Sequence, residues 1–164
     1  MLTKLFSFVG TSPFPIANKD EARVKTTLYA FNISRQSFIN LGVSAADTPL
    51  ARLRGLLGRL KLRSDEAVWV VPSRGIHTFG LLFAIDAIYL DSECRVVHLI
   101  ENLGPLRVGP LRLRCSSVLE LPAGSIYKSG TQVGDRLLIK SPEQVDRYME
   151  SRLSETPEAV DTGR

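Results

Sequence analysis

Apolar side chains recur along this chain at two spacings, and the switches between them mark out its elements. In Leu28–Ile33, Tyr29, Phe31 and Ile33 fall on one face of an extended segment, the period of two that a strand requires. Ser37–Val43 predicts a second strand, its pattern diluted by Asn40 and Gly42. The period then lengthens. Leu50, Leu53, Leu56, Leu57 and Leu60 form one stripe of a helix that Asp47 or Thr48 can cap, with Pro49 suited to its first turn. Gly55 and Gly58 each lower the propensity of that helix by roughly 1 kcal/mol relative to alanine, which predicts a close neighbour.

Strand spacing resumes in Ala67–Val71 and stops at Pro72. Leu81–Leu90 carries the strongest strand pattern; the turn Asp91-Ser92-Glu93 ends it, and Arg95–Ile100 returns antiparallel to it. A connection rich in glycine and proline leads to a strand over Leu113–Leu121. Turn-rich segments at 122–125 and 129–135 flank short strand material, and Arg136–Lys140 closes the sheet. Ser141, Pro142 and Gln144 open a final amphipathic helix carrying Val145, Tyr148, Met149 and Leu153.

About seven short strands with so little helix predict a mainly β fold. The expected form is a small β-sandwich or partly closed barrel with one inserted helix and a C-terminal helix. Residues 1–24 lack periodicity and read as an N-terminal extension, 25–141 as a single β-rich domain, and 142–164 as a C-terminal helix followed by a disordered tail.

Composition narrows the class. Of 164 residues, 44% are hydrophobic and 23% charged, which excludes wholesale disorder. The longest apolar run is broken by Asp86 and is too short to cross a bilayer, so no transmembrane segment is predicted. The amino terminus lacks the cleavage pattern of a signal peptide, which predicts a cytoplasmic protein with Cys94 and Cys115 as reduced thiols. A net charge of +4 permits contact with anionic partners without indicating one.

The loop Pro72–Gly80, PSRGIHTFG, is the most informative segment. It places Ser73, Arg74, His77 and Thr78 between two core strands, a common location for binding. The competing reading is that these hydroxyls and the imidazole satisfy their own backbone. Asp86 shares a strand face with Leu82, Ala84, Ile88 and Leu90 and so must meet a cation, several donors or water. By chain position Arg59, Arg74 and His77 are its expected partners. Glu120 alternates with Val118; it could act with Asp86 as acid and base if both faced one cavity, and solvent exposure is its expected state. His77, His98, Cys94 and Cys115 show no ligand spacing, so no metal site is predicted. Neither a phosphate-binding loop nor a nucleophile elbow is present, and no cofactor is expected. The cluster Arg52, Arg54, Arg59, Lys61, Arg63 lacks interleaved aromatics and reads as a solvated helix face, which disfavours nucleic acid as a partner.

Taken together, the motifs at Gly55–Arg59, Ile76–Asp91, Arg95–Val97, Val118–Gly124 and Gly134-Asp135 resemble the family called domain of unknown function 192. The resemblance spans roughly residues 25–140 and is closest to a branch with an IHTFG-type sequence. It implies a compact β-sandwich with one helix and no established activity. Family members often carry a cysteine shortly before that histidine, where this chain has Ser73. Some relatives bear export signals or occur with pilus-assembly proteins, so the resemblance also implies an envelope-related setting.

The resulting expectation is a non-catalytic binding or accessory domain. Ser73, Arg74, His77 and Thr78 would form its recognition surface with Arg59 and Glu120, facing a protein or a small polar ligand. The rivals are a small hydrolase-like enzyme using a His77/Asp86 pair and a weak nucleic-acid binder. The sequence carries no signal for oligomeric state. Thiol counting in denaturant without reductant is expected to find both cysteines free; finding neither would overturn the compartment assignment as well.

Overall fold

Strands with one apolar face must bury it, and here a single sheet does so by curling onto itself. The computed structural model describes residues 27–46 and 61–154. Within them lie β1 (Leu28–Asn32), β2 (Ser37–Ala46), β3 (Ala67–Val70), β4 (Ile85–Leu90), β5 (Val96–Leu103), β6 (Ser117–Pro122) and β7 (Leu137–Lys140). Two helices accompany them, α1 (Ser125–Ser129) and α2 (Pro142–Ser154). The strand order is β5-β4-β6-β3-β2-β1-β7. All neighbours are antiparallel except β2 and β3. A parallel pair needs a crossover connection, which here includes the segment where the sequence predicts the leucine-striped helix. That helix lies outside the described residues.

The two edges of the sheet meet at one end. Arg95 and Arg136 form an antiparallel bridge. Around it, the Val96 amide donates to the Asp135 carbonyl at 2.8 Å, Gly134 donates to Val96 at 2.8 Å, and Leu137 donates to Cys94 at 2.9 Å. The result is the partly closed barrel. Every strand sends residues inside it: Ala30, Val43, Ala67, Ile88, Leu90, Val96, Leu119, Leu121, Leu137 and Ile139, joined by Ile126 from α1. A second apolar cluster covers the outer face of β4 and β6, where Ile85, Ala87, Tyr89 and Val118 meet Leu62, Ile76, Leu81 and Cys115 from the loops. On the outside of β1, Phe31 packs edge-on to Phe38 and against Tyr148 of α2, whose Val145 is fully buried. The Ser141 amide donates to the Gln144 side chain, the reach-back bond of the capping box expected there.

The weakened pattern in β2 has a local cause. Asn40 is buried; its amide donates to the Ser64 and Glu66 carbonyls while its oxygen accepts from Gly42. A Cβ on Gly42 would stand 1.8 Å from the Asp65 carbonyl oxygen, so the 63–66 turn crosses β2 where only glycine fits. The strongest pattern overshoots: Leu81–Ala84 is an irregular, bent segment, β4 begins at Ile85, and Leu82 is exposed rather than sharing a strand face with Asp86. Likewise β6 begins at Ser117 rather than Leu113. The short strand material expected near residue 126 is helix α1, flanked by Gly124 and Gly130, both at positive φ.

Buried polar groups fasten the barrel mouth. Asp135 accepts from the Asn32 side chain at 3.0 Å, the Gln132 amide at 2.8 Å and the Arg35 guanidinium at 3.1 Å. Burial pushes its pKa up, but these donors and the Arg35 charge outweigh that and hold it below the ordinary aspartate value. A carboxyl with a depressed folded-state pKa contributes stability that is present above its unfolded value of about 3.9 and is lost as pH falls through the folded one. Acidification from about pH 5 to pH 2 is therefore expected to lower the melting temperature of the parent more than that of Asp135→Asn. Equal slopes would remove Asp135 from the acid response.

Candidate functional site

Two loops, not one, build the surface that the sequence singles out. The segment Arg74–Thr78 runs antiparallel to Arg107–Arg112. Thr78 donates its amide to the Arg107 carbonyl at 2.9 Å, Gly109 donates to Ile76 at 2.8 Å, and Arg112 donates to Arg74 at 2.9 Å. His77 and Val108 stand opposite each other. Thr78 is the pin of this assembly. Its buried hydroxyl donates to the Gly104 carbonyl at 2.7 Å and accepts from the Arg107 amide at 2.9 Å. Gly109 lets the pair sit flush on the barrel, since a Cβ there would fall 2.5 Å from the Tyr89 hydroxyl.

The candidate residues divide cleanly. Ser73 bonds inward, its hydroxyl donating to the Gly75 carbonyl at 2.6 Å, and its own carbonyl accepts from the Cys115 thiol. With Thr78 it follows the competing reading: both hydroxyls hold the loop together. Arg74 and His77 face out, and the His77 ring stacks on Phe79 at 5.4 Å. Arg59 lies outside the described residues.

Asp86 is fully buried, but its partners are not the expected ones. One carboxylate oxygen accepts from the Asn102 amide and the other from the Ile126 amide, both at 2.9 Å. Neither His77 nor Arg74 bonds to it. The reason is strand geometry: Asp86 faces the barrel interior with Ile88 and Leu90, where α1 enters, whereas the Arg74–Thr78 segment packs on the outer face through Ile76. Glu120 is also corrected. It is buried, 9% exposed, because its outer-face position opposite Ala87 and Val68 is covered. Pairing with Ala87 puts it on the face opposite to Asp86. The two carboxylates do not share a cavity, and no acid–base pair is assembled.

The thiols of Cys94 and Cys115 are free, and burial pushes both up in pKa. Burial, with Cys115 nearby, also pushes the Tyr89 hydroxyl up to about 12. His98 sits edge-on to that ring at 5.3 Å, with a pKa lowered by burial and by Arg112. A thiol or phenol pushed up in this way is a poor nucleophile at neutral pH. Among the described residues, no group of three His, Cys, Asp or Glu side chains could hold a metal.

Sequence reasoning missed the apolar side chains on the paired loops. Phe79, Leu82, Leu106, Val108, Leu111 and Leu113 are all exposed, Leu111 at 80% and Leu113 at 88%. The available signal was the run PLRVGPLRLR, in which apolar residues and arginines alternate after each of two prolines.

The family model of domain of unknown function 192, DUF192, described as "Uncharacterized ACR", matches residues 31–139. This chain belongs to the DUF192 family. A UPF0127 protein of Thermococcus sibiricus is 30% identical over 124 residues, covering 73% of this chain and 74% of that protein. A UPF0127 protein of Pyrococcus horikoshii is 31% identical over 100 residues, covering 58% and 84%. Among solved structures, a protein of unknown function from Novosphingobium aromaticivorans superposes with a TM-score of 0.58 at 20% identity, covering 68% of this chain and 82% of that one. A candidate transcription regulator from Sinorhizobium meliloti superposes at 0.55 with 23% identity, covering 68% and 91%. At that identity the likeness shows the fold alone. Within DUF192, then, the IHTFG segment of this chain is one half of a two-loop ridge. Among the described residues no helix is long and apolar enough to cross a membrane.

These placements separate stability from surface chemistry. Asp86→Ala strips the acceptor from two amides and is expected to cost about 1–3 kcal/mol for each one left buried and unpaired. Asp86→Asn keeps one acceptor and should fall between Ala and the parent. His77→Ala removes an exposed ring and should stay within about 0.5 kcal/mol of the parent. Denaturant melts of the three variants give the order, and an unchanged Asp86→Ala protein would remove the anchoring role.

Proposed function

We propose that this DUF192 chain is a non-catalytic binding or accessory domain whose recognition surface is the ridge formed by Pro72–Gly80 and its partner segment 104–114. The observation that carries the reading is a rigid, backbone-paired ridge presenting His77, Phe79, Leu106, Val108 and Leu111 to the exterior. Apolar groups held out on a fixed frame cost hydration and are the usual mark of an interaction site. Preorganisation also lowers the entropy lost when a partner binds. Supporting it from the other side, the His77/Asp86 pair that a hydrolase would use is not assembled: Asp86 is buried against two amides, while His77 is exposed on the ridge.

Site-specific photo-crosslinking in cells tests the reading. A photoreactive residue placed at Phe79 or Val108 is expected to give defined adducts, while one at Glu93 or Glu150, exposed elsewhere, gives none. Adducts distributed equally over all four positions would reject the ridge as the recognition surface.

A further inference from the structure

We infer that the ridge docks onto an anionic lipid surface, an assignment that rests on the recognition role proposed for it. Two properties coincide there. The first is apolar exposure on a protruding turn: Leu113 and Arg114 occupy the tip closed by the Cys115 amide donating to the Arg112 carbonyl at 2.9 Å. Leu111, Val108 and Leu106 precede them, with Phe79 on the opposite loop. The second is charge. From Val71 to Ile85 and from Leu103 to Ser117 the chain carries Arg74, Arg107, Arg112 and Arg114 and not one carboxylate. All four arginines are exposed, and none joins a salt bridge among the described residues.

The way these two properties interleave selects the partner. A protein interface concentrates its apolar anchors at the centre and keeps charge at the rim. Here apolar side chains and guanidinium groups alternate along one segment, Leu106-Arg107-Val108 and Leu111-Arg112-Leu113-Arg114. That interleaving matches the boundary between headgroups and acyl chains, where leucines enter hydrocarbon while arginines stay level with lipid phosphates. Nucleic acid would use the same charge but would gain little from the bare leucines, which outnumber the one stacked His77–Phe79 pair on the ridge. The backbone pairing pinned by Thr78 keeps both rows presented together.

The test uses the full chain and sedimentation with vesicles of phosphatidylcholine alone or with about 30% phosphatidylglycerol, a fraction chosen to give a strongly anionic surface. Binding is expected to the anionic vesicles only, and to weaken between about 0.1 M and 0.5 M salt. Replacing Arg74, Arg107, Arg112 and Arg114 together with glutamine is expected to lower partitioning about tenfold or more. Leu111→Ser with Leu113→Ser should lower it while leaving the salt dependence in place. All these positions are exposed, so unchanged thermal melts serve as the folding control. No binding to anionic vesicles at low salt, or binding indifferent to both sets of substitutions, would overturn the assignment. Crosslinks from Phe79 or Val108 to an acidic protein, without vesicle binding, would overturn the lipid partner and leave the ridge standing as a recognition surface. Absence of both vesicle binding and ridge-specific crosslinks would take down the ridge itself.

Discussion

A carboxylate inside an apolar barrel is tolerated only if donors meet its oxygens, and the site of Asp86 is built around that requirement. One oxygen takes the amide of Ile126 in the first turn of α1, which draws that helix into the barrel end and buries its isoleucine with Leu119 and Leu121. The other takes the amide of Asn102, a residue at positive φ where the pairing of β4 with β5 shifts register. A bulge of this kind re-aims a strand. Immediately after it the chain leaves β5 and runs into the ridge. One buried side chain therefore links the closure of the core to the departure point of the candidate recognition surface.

The ridge itself owes its shape to hydrogen bonds rather than to apolar burial. Its outward residues leave much of their hydrophobic surface in water, so rigidity has to come from the backbone pairing and from Thr78. Beneath it, Ile76, Leu81, Cys115 and Tyr89 supply the apolar floor. The absence of a side chain at Gly109 allows the upper layer to lie directly on that floor. Such a division, with a packed base and an exposed apolar crest, holds the outward side chains in place without letting them collapse into the core.

At the opposite edge of the sheet, the Asn32, Arg35 and Asp135 network performs a different task. Closing a sheet of short strands brings β1, β7 and the turn before β7 together where few backbone partners remain. Asp135 serves three donors from two chain segments at once, and the Asn32 oxygen accepts in turn from the Arg35 amide. The barrel is thus partly closed by main-chain bonds between β5 and β7 and locked by side-chain bonds beside them.

Alternation of apolar residues determined the strands, because a period of two has meaning wherever one face is buried. Tyr29 and Phe31, Val118 and Glu120, and the run Ile85–Leu90 were legible for that reason. The capping box at Ser141–Gln144 was legible because its bonds are local. The DUF192 motifs were legible as an ordered set of short segments. Strand ends were not: Leu81–Ala84 is apolar enough to extend β4, yet it is a bent segment whose Leu81 and Phe83 pack with Ile76 while Leu82 is exposed. The partners of Asp86 were not legible either. They are backbone amides of Asn102 and Ile126, a kind of donor every residue carries, so no residue type signals them. The face assigned to Glu120 depended on which side of the sheet was covered, and the pairing of Arg74–Thr78 with 107–112 depended on the barrel that holds them. Local spacing encodes what a segment is; only the tertiary structure decides what lies opposite it, because hydrogen bonds and burial are set by neighbours distant in the chain.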